Sequence, residues 1–600
     1  MKLRWRFGII AGIFLAIFAL YPQIKMLYNR GDDWQGHYAY NDIDEVAYAS
    51  YVRALIDGRP RKNDPYTGRD DTPENPQPES LFSIQFAAPY TIAIPARILG
   101  IPTTWAMTIS GAIAGFLTAL AIFWLIGRMT GDSWYAMAGS IVVLAGGALF
   151  AGEGAISEIL NPEQGFSYPY FPGFRRYIPA MAFPAFFALC GLVWKVLNST
   201  DTKKRAIYSA LGVLCFTYTV FSYFYVWTTA AAWLGGLGLV LLILRPEGVW
   251  RDVKLLALLG AGCVAALIPY AYLLSKRSHT MDDVQLLVLT RAPDLTRFPE
   301  LISYVVFAML AAGIIGKVIA LRDRSTIFAL SLALVPIIVF NQQVITGRSL
   351  QPIHYQVFIG NYVAGLALIV TIGLLLQNVI VTRAVASRVA FTCLTVLAVV
   401  WGFVECHYTV RVLDDANIDR DKMMPLARRL SELALNEPDP HRTTVLFLGY
   451  MTLADDLPTI APQNVLWTRH QHVFAGLSWQ ESKERYYKYA YYQAVDEKGL
   501  DYLIKNDFAV MIALFGWGRH TDRLSSEAKP LTYGEVAEEA RRYKAFSENF
   551  SFKEATDPLV SYLVVPSRSE IDLSNFDRWY ERGEGEMIGD HILYKTRLRQ

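Results

Sequence analysis

Eleven apolar segments, most of them long enough to cross a bilayer, fill the first 405 residues, and they constrain the fold more than any other feature. In lipid each segment must satisfy its own backbone hydrogen bonds, so a bundle of helices follows. The first runs about eighteen residues to near Gln23. The others fall at roughly 102–126, 134–151, 178–197, 206–221, 226–244, 255–274, 301–320, 327–340, 358–377 and 389–404. A chain of 600 residues that is 53% hydrophobic, with mean hydropathy +0.25, is too apolar for an ordinary soluble protein. A net charge of +2 gives no support for nucleic-acid binding.

Lys2, Arg4 and Arg6 precede the first segment as in a signal peptide, but no small-x-small cleavage pattern follows. It reads as an uncleaved helix whose N-terminus lies in the cytoplasm. An odd number of spans then places the C-terminal region outside. The intervening loops test this independently. Those assigned to the cytoplasm, with the N-terminus, carry sixteen basic residues against five acidic ones (Asp132, Asp201, Glu247, Asp252 and Asp323), as the positive-inside rule requires. The expected architecture is a polytopic α-helical membrane domain over 1–405, with a long first outer loop at 25–80, and an extracytoplasmic α/β domain over 406–600. In the latter, 444–448, 508–514 and 559–565 read as strands, and 423–435 and 533–548 as helices. Leu81–Leu99, broken by Pro89 and Pro95, reads as an interfacial segment or part of a kinked span. The five cysteines lie in or beside apolar segments and form neither a disulfide framework nor a zinc pattern.

The first outer loop holds three acids in four residues, Asp42, Asp44 and Glu45. Asp42 and Glu45 fit a capping box that opens a helix, and Gly58 and Pro60 end it. Capping explains Asp44 less well. It stands four residues before Tyr48, at the head of an apolar stripe continued by Val52, Leu55 and Ile56, and so faces the membrane surface or a cavity as a candidate functional acid. Other candidates share the external side. In the second outer loop, Glu153, Glu158 and Glu163 read as solvated carboxylates or as groups facing a substrate. Arg175 and Arg176 read as interfacial anchors taken singly and as a lipid-phosphate site taken together. The fifth loop sets Arg348, Gln351 and His354 among amides with little carboxylate nearby. A guanidinium there suits bidentate phosphate binding, or snorkels to lipid headgroups; His354 alone fits a structural hydrogen bond. Hard oxygen ligands are compatible with Mg²⁺ or Mn²⁺, though no fixed spacing demands a metal.

A cytoplasmic N-terminus, one span, then an outer loop with Asp44-Glu45, Tyr48 and a closing Gly58 resembles the GT-C glycosyltransferases. These polytopic enzymes take sugars from polyprenyl-phosphate carriers and include the protein mannosyltransferases and lipid A aminoarabinose transferases. The resemblance covers topology over about 400 residues on a short motif, and the oligosaccharyltransferase Trp-Trp-Asp sequence is absent. It implies a hexosyl- or pentosyltransferase in the inner membrane of a bacterium or archaeon, acting with inversion on the external face. A lipid-linked sugar would be the donor, and a glycan, lipid or protein the acceptor. Asp44 would be the general base or acceptor-polarising group, Glu45 would support it, and Asp42, Tyr48, Glu153, Glu158, Arg175, Arg176, Arg348, Gln351 and His354 would bind substrate. A flippase of lipid-linked sugars, a polymerase or ligase using polyprenyl-diphosphate glycans, and a non-catalytic scaffold stay open as alternatives. Orientation is checked by impermeant thiol labelling of intact cells in a cysteine-free background. Tyr450→Cys should label and Lys203→Cys should not; the opposite pattern reverses the topology.

Overall fold

Backbone hydrogen bonds that cannot be given to lipid are closed within helices. The computed structural model describes residues 3–151, 154–162, 175–284, 287–449, 451–474, 476–516, 519, 531–568 and 570–600. Among them, eight helices are long and apolar enough to cross a membrane: Trp5–Asp33, Thr103–Thr130, Phe224–Leu244, Val249–Ser275, Phe298–Ile315, Arg324–Thr346, Pro352–Leu375 and Ala384–Arg411. Two shorter apolar helices, Ser133–Ala145 and Phe183–Asn198, join them. The remaining expected span is Thr202–Val220, which opens on Lys203, Lys204 and Arg205 and is capped by Asp201, whose carboxylate accepts from the amides of Lys203 and Lys204. Every segment read from hydropathy therefore lies on a helix.

The first helix packs against Thr103–Thr130 through small residues. A side chain at Gly12 would meet the Phe116 ring at 2.5 Å, and one at Gly115 would stand 3.1 Å from the Leu15 carbonyl oxygen. Close backbone approach is what such residues permit in lipid, where apolar burial gives no net drive. Leu81–Leu99 resolves into two short helices, Leu81–Ile84 and Ala87–Leu99, the first capped by Ser80. The second, at 13 residues, is too short to span and exposes Ile94, Ile98 and Leu99 on one side, as an interfacial helix does.

The first outer loop is not a loose excursion. The first helix runs on to Arg30, and residues 35–42 then thread between it and the helix Asp414–Ala434 of the C-terminal region. Buried backbone here needs partners, and buried side chains supply them. Asp421 accepts from the amides of Gln35 (3.0 Å) and His37 (3.1 Å) and from Arg30 Nε (2.9 Å). Gln23 accepts from the Ala39 amide, and Asn417 both accepts from the Tyr40 amide and donates to its carbonyl.

The C-terminal region carries a five-stranded mixed sheet in the order Asn464–Val465, Thr444–Phe447, Val560–Pro566, His591–Leu598, Tyr580–Ile588. The first three strands pair in parallel and the rest antiparallel. Two of the expected strands and both expected helices are present. The third strand, expected at 508–514, is instead the helix Phe508–Phe515, because Asp507 caps its first amides and Gly516 stops it. Its continuous apolar run suits a buried helix as well as a buried strand, and the caps decide. Phe447, Val465, Tyr562 and Leu593 from this sheet belong to the same buried apolar cluster as the spans, so the C-terminal region is seated on the membrane domain.

Candidate active site

The acidic stretch folds into a tight turn ahead of the helix Glu45–Ile56. Asp42 accepts from the Asp44 amide (2.9 Å) through Oδ1, and Glu45 reaches back to the Asn41 amide (2.9 Å). The expected Asp42–Glu45 capping box is thus shifted by one residue at each end. Asp44 occupies the cap position and makes no capping bond with its side chain. Its carboxylate turns outward and stays 31% exposed, while Asp42 and Glu45 are buried.

Two arginines from the end of the second outer loop meet these acids. Arg176 is 1% exposed and pairs with Glu45: its amide donates to Oε1 (2.6 Å) and its Nη2 to Oε2 (3.0 Å), with a further bond to the Ala39 carbonyl. Arg175 is 2% exposed; its Nη1 donates to Asp44 Oδ2 at 2.8 Å and lies 3.6 Å from Asp42 Oδ1. Its other nitrogens donate to the Ile178 carbonyl (3.1 Å) and the Tyr223 hydroxyl (3.3 Å). The guanidinium stacks over Phe358 at 4.2 Å and over Tyr48 at 5.1 Å. Tyr48 in turn packs on Tyr177 and Phe82.

The other oxygen of Asp44 faces the C-terminal region. Oδ1 lies 3.3 Å from His470 Nε2, and His470 Nδ1 lies 2.6 Å from the buried carboxylate of Asp455. The adjacent Asp456 holds His37 at 2.7 Å and also binds the Tyr40 hydroxyl, which ties the same short helix, Met451–Asp456, to the turn that carries the acids. Burial pushes the Asp42 carboxyl up to about 6, against the pull of Arg175 and with a push from Asp44. Burial opposes ionisation of Asp44 too, but the His470 hydrogen bond and the Arg175 charge outweigh it and hold Asp44 below the usual carboxylate range. Burial disfavours the His470 cation, and the Asp455 charge reverses this and raises its pKa.

The remaining candidates divide by position. The Tyr223 hydroxyl that receives Arg175 also lies 3.5 Å from His354 Nδ1, and the His354 ring packs on Tyr225 and Phe358. Tyr225 donates to Gln351 Oε1 at 3.1 Å. His354 and Gln351 therefore adjoin the acid cluster through two tyrosines. Arg348 has no contact with the cluster. It is exposed at the mouth of an apolar groove of about 380 Å³ between Phe224–Leu244 and Arg324–Thr346, lined by Phe224, Thr228, Ala232, Ile338, Val339 and Tyr355. Tyr355 and Thr228 bond each other at 2.9 Å, and Tyr355 packs edge-on to Tyr225, so one wall of the groove abuts the cluster. Glu158 stands apart, paired with Arg411. Glu153 and Glu163 lie outside the described residues. Among the described residues, no three or more His, Cys, Asp or Glu side chains converge as a metal site requires. Among the described residues, the cation shared by Asp42 and Asp44 is the Arg175 guanidinium.

Sequence reasoning missed His470 and Asp455 and took Tyr223 for part of an interfacial belt. The one local signal was the close spacing of two histidines, His470 and His472.

No protein-family model matches the chain, and no curated protein sequence matches it. Solved structures with a similar course include ArnT from Cupriavidus metallidurans in the apo state, with 13% identity over 77% of this chain and 86% of that one, at a TM-score of 0.44. The same protein bound to undecaprenyl phosphate is similar at 13% identity over 78% and 88%, TM-score 0.42. The Archaeoglobus fulgidus oligosaccharyltransferase in complex with Zn and sulfate is similar at 12% identity over 98% and 73%, TM-score 0.45.

Glu45 and Asp44 are neighbours with different tasks, and mutation separates them. Glu45→Gln leaves Arg176 buried beside a neutral partner. Breaking such a pair costs roughly 3–5 kcal/mol, so thermal unfolding in detergent should shift down markedly. A parent-like unfolding temperature would show that the Glu45–Arg176 pair does not hold the turn.

Proposed function

We propose that the chain is an integral-membrane glycosyltransferase that moves a sugar from a polyprenyl-phosphate-linked donor to an acceptor hydroxyl on the external face, with inversion. The observation that carries this reading is Asp44. It is the one partly exposed carboxylate in a buried acid cluster, held by Arg175 on one oxygen and His470 on the other, beside an apolar groove with Arg348 at its mouth. The donor class and the inversion come from the resemblance of the Asp44-Glu45 and Tyr48 stretch to GT-C enzymes.

A carboxylate with a depressed pKa is a weak base in its ground state, and the chemistry tolerates that. Attack of a hydroxyl on an oxocarbenium-like anomeric carbon generates an oxonium, a far stronger acid than any carboxylic acid, so Asp44 accepts the proton late in the reaction. Its low pKa keeps it ionised, able to orient the incoming hydroxyl, throughout the physiological range. The leaving group is a phosphate and needs charge stabilisation rather than a proton. Arg348, which has no carboxylate partner among the described residues, is free to supply it in the manner of an arginine clamp. The groove behind Arg348 is apolar, as the start of a polyprenyl chain requires.

Two substitutions test these roles. Asp44→Asn should lower kcat about 10²–10⁴-fold, with thermal stability near the parent because Asp42 remains beside Arg175. Arg348→Ala should weaken donor binding as well as slow turnover, lowering kcat/KM about ten- to a hundredfold, the scale of one charge-assisted contact. Full transfer activity in Asp44→Asn would remove Asp44 from the chemistry, whereas a parent chain that moves lipid-linked sugar intact without transferring it would favour a flippase, which needs no proton acceptor.

A further inference from the structure

The transfer scheme above uses Asp44 and leaves His470 and Asp455 without a task, although both are buried and both are aimed at it. Their geometry defines a protonation state. His470 Nδ1 lies 2.6 Å from Asp455 Oδ2 and Nε2 lies 3.3 Å from Asp44 Oδ1. Ionised carboxylates accept hydrogen bonds and donate none. An imidazole bonded to one at each nitrogen therefore carries a proton on both, and is a cation. Asp455 is itself fixed: its Oδ1 accepts from Thr468 Oγ1 at 3.0 Å and from the His470 amide at 3.3 Å, and its Oδ2 lies 3.3 Å from Arg469.

We propose that His470, an imidazolium braced by Asp455, is the positioning residue that aims the Asp44 carboxylate at the acceptor hydroxyl, and that loss of its second proton sets the alkaline limit of turnover. The proposal deepens the transferase reading and rests on it for the consequence at Asp44. With only one proton left, the imidazole keeps it for the shorter contact to Asp455. Nε2 then turns a lone pair toward Asp44 Oδ1, where attraction becomes repulsion and the carboxylate loses one of its two anchors.

The groups facing His470 set where this happens. Asp455, on the helix Met451–Asp456, and Asp44, at the cap of Glu45–Ile56, favour the cation. Arg469, on the same turn, opposes it. His472, two residues on, is held neutral by burial, with a pKa lowered to about 4. The carboxylates prevail and the His470 pKa is raised. The cation thus persists to higher pH than in a free imidazole and is lost as the pH climbs past that raised value.

The test uses the full-length protein in lipid nanodiscs and two readouts. Nitrogen-15 NMR of histidine-labelled protein should show, at pH 7.5, a doubly protonated imidazole whose signal is lost in His470→Gln. Release of polyprenyl phosphate from a polyprenyl-phosphate-linked hexose, followed against pH, supplies the second. His470→Gln should cut kcat about ten- to a hundredfold at near-parent donor KM and flatten the alkaline limb. Asp455→Asn, which keeps the imidazole but removes its brace, should move that limb and the NMR titration to lower pH together. The absence at pH 7.5 of any doubly protonated signal that His470→Gln removes overturns the proposal, as does an alkaline limb unmoved in Asp455→Asn. A doubly protonated His470 in a chain that releases no polyprenyl phosphate supports the brace and retires the transferase reading instead.

Discussion

The buried guanidinium of Arg175 is the interaction on which the rest of the site depends. Taking a charge out of water is tolerated only when partners surround it, and Arg175 collects them from four places in the chain. Asp42 and Asp44 come from the first outer loop, the Ile178 carbonyl from its own turn, Tyr223 from the loop before Phe224–Leu244, and the Phe358 face from Pro352–Leu375. Those segments are fixed relative to one another because the guanidinium needs all of them. Arg176 repeats the device one residue on, with Glu45, and faces inward. Two consecutive arginines thus sort three acids into one structural carboxylate, one buried neighbour that ionises only near pH 6, and one carboxylate that looks out.

The C-terminal region completes the arrangement rather than sitting apart from it. Its adjacent acids Asp455 and Asp456 each hold a histidine, one from within the region and one from the outer loop. The loop that carries Asp44 is threaded beneath it, with Asp421 and Asn417 satisfying backbone that would otherwise be stranded. The groove ending at Arg348 reaches the same centre from the membrane side through Tyr355 and Tyr225. The membrane spans, the groove and the C-terminal region therefore converge on one partly exposed carboxylate.

The fold was largely legible because lipid imposes a local rule: a run of apolar residues must close its own hydrogen bonds, and hydropathy alone reports that. The acid cluster was legible for a similar reason, since Asp44 had no capping role to absorb it. What sequence did not show are relations between distant segments. Nothing near His470 marks it as a partner for a residue 426 positions away, and Arg348 reads as a neighbour of Arg175 by side of the membrane although no contact joins them. The helix Phe508–Phe515 was misread as a strand because an unbroken apolar run has no period, and only Asp507 and Gly516 distinguish the two. Glu45 was given a catalytic share by adjacency to Asp44; the depth of its pairing with Arg176 is a fact of packing.

The central claim is that this centre transfers a sugar away from a polyprenyl phosphate. Its most direct measurement is product analysis with purified protein offered matched donors, one linked through a monophosphate and one through a diphosphate. The account predicts that the monophosphate donor alone is consumed, that free polyprenyl phosphate appears in step with glycosylated acceptor, and that the new linkage has inverted anomeric configuration. Consumption of the diphosphate donor only, or transfer with retention, would contradict it.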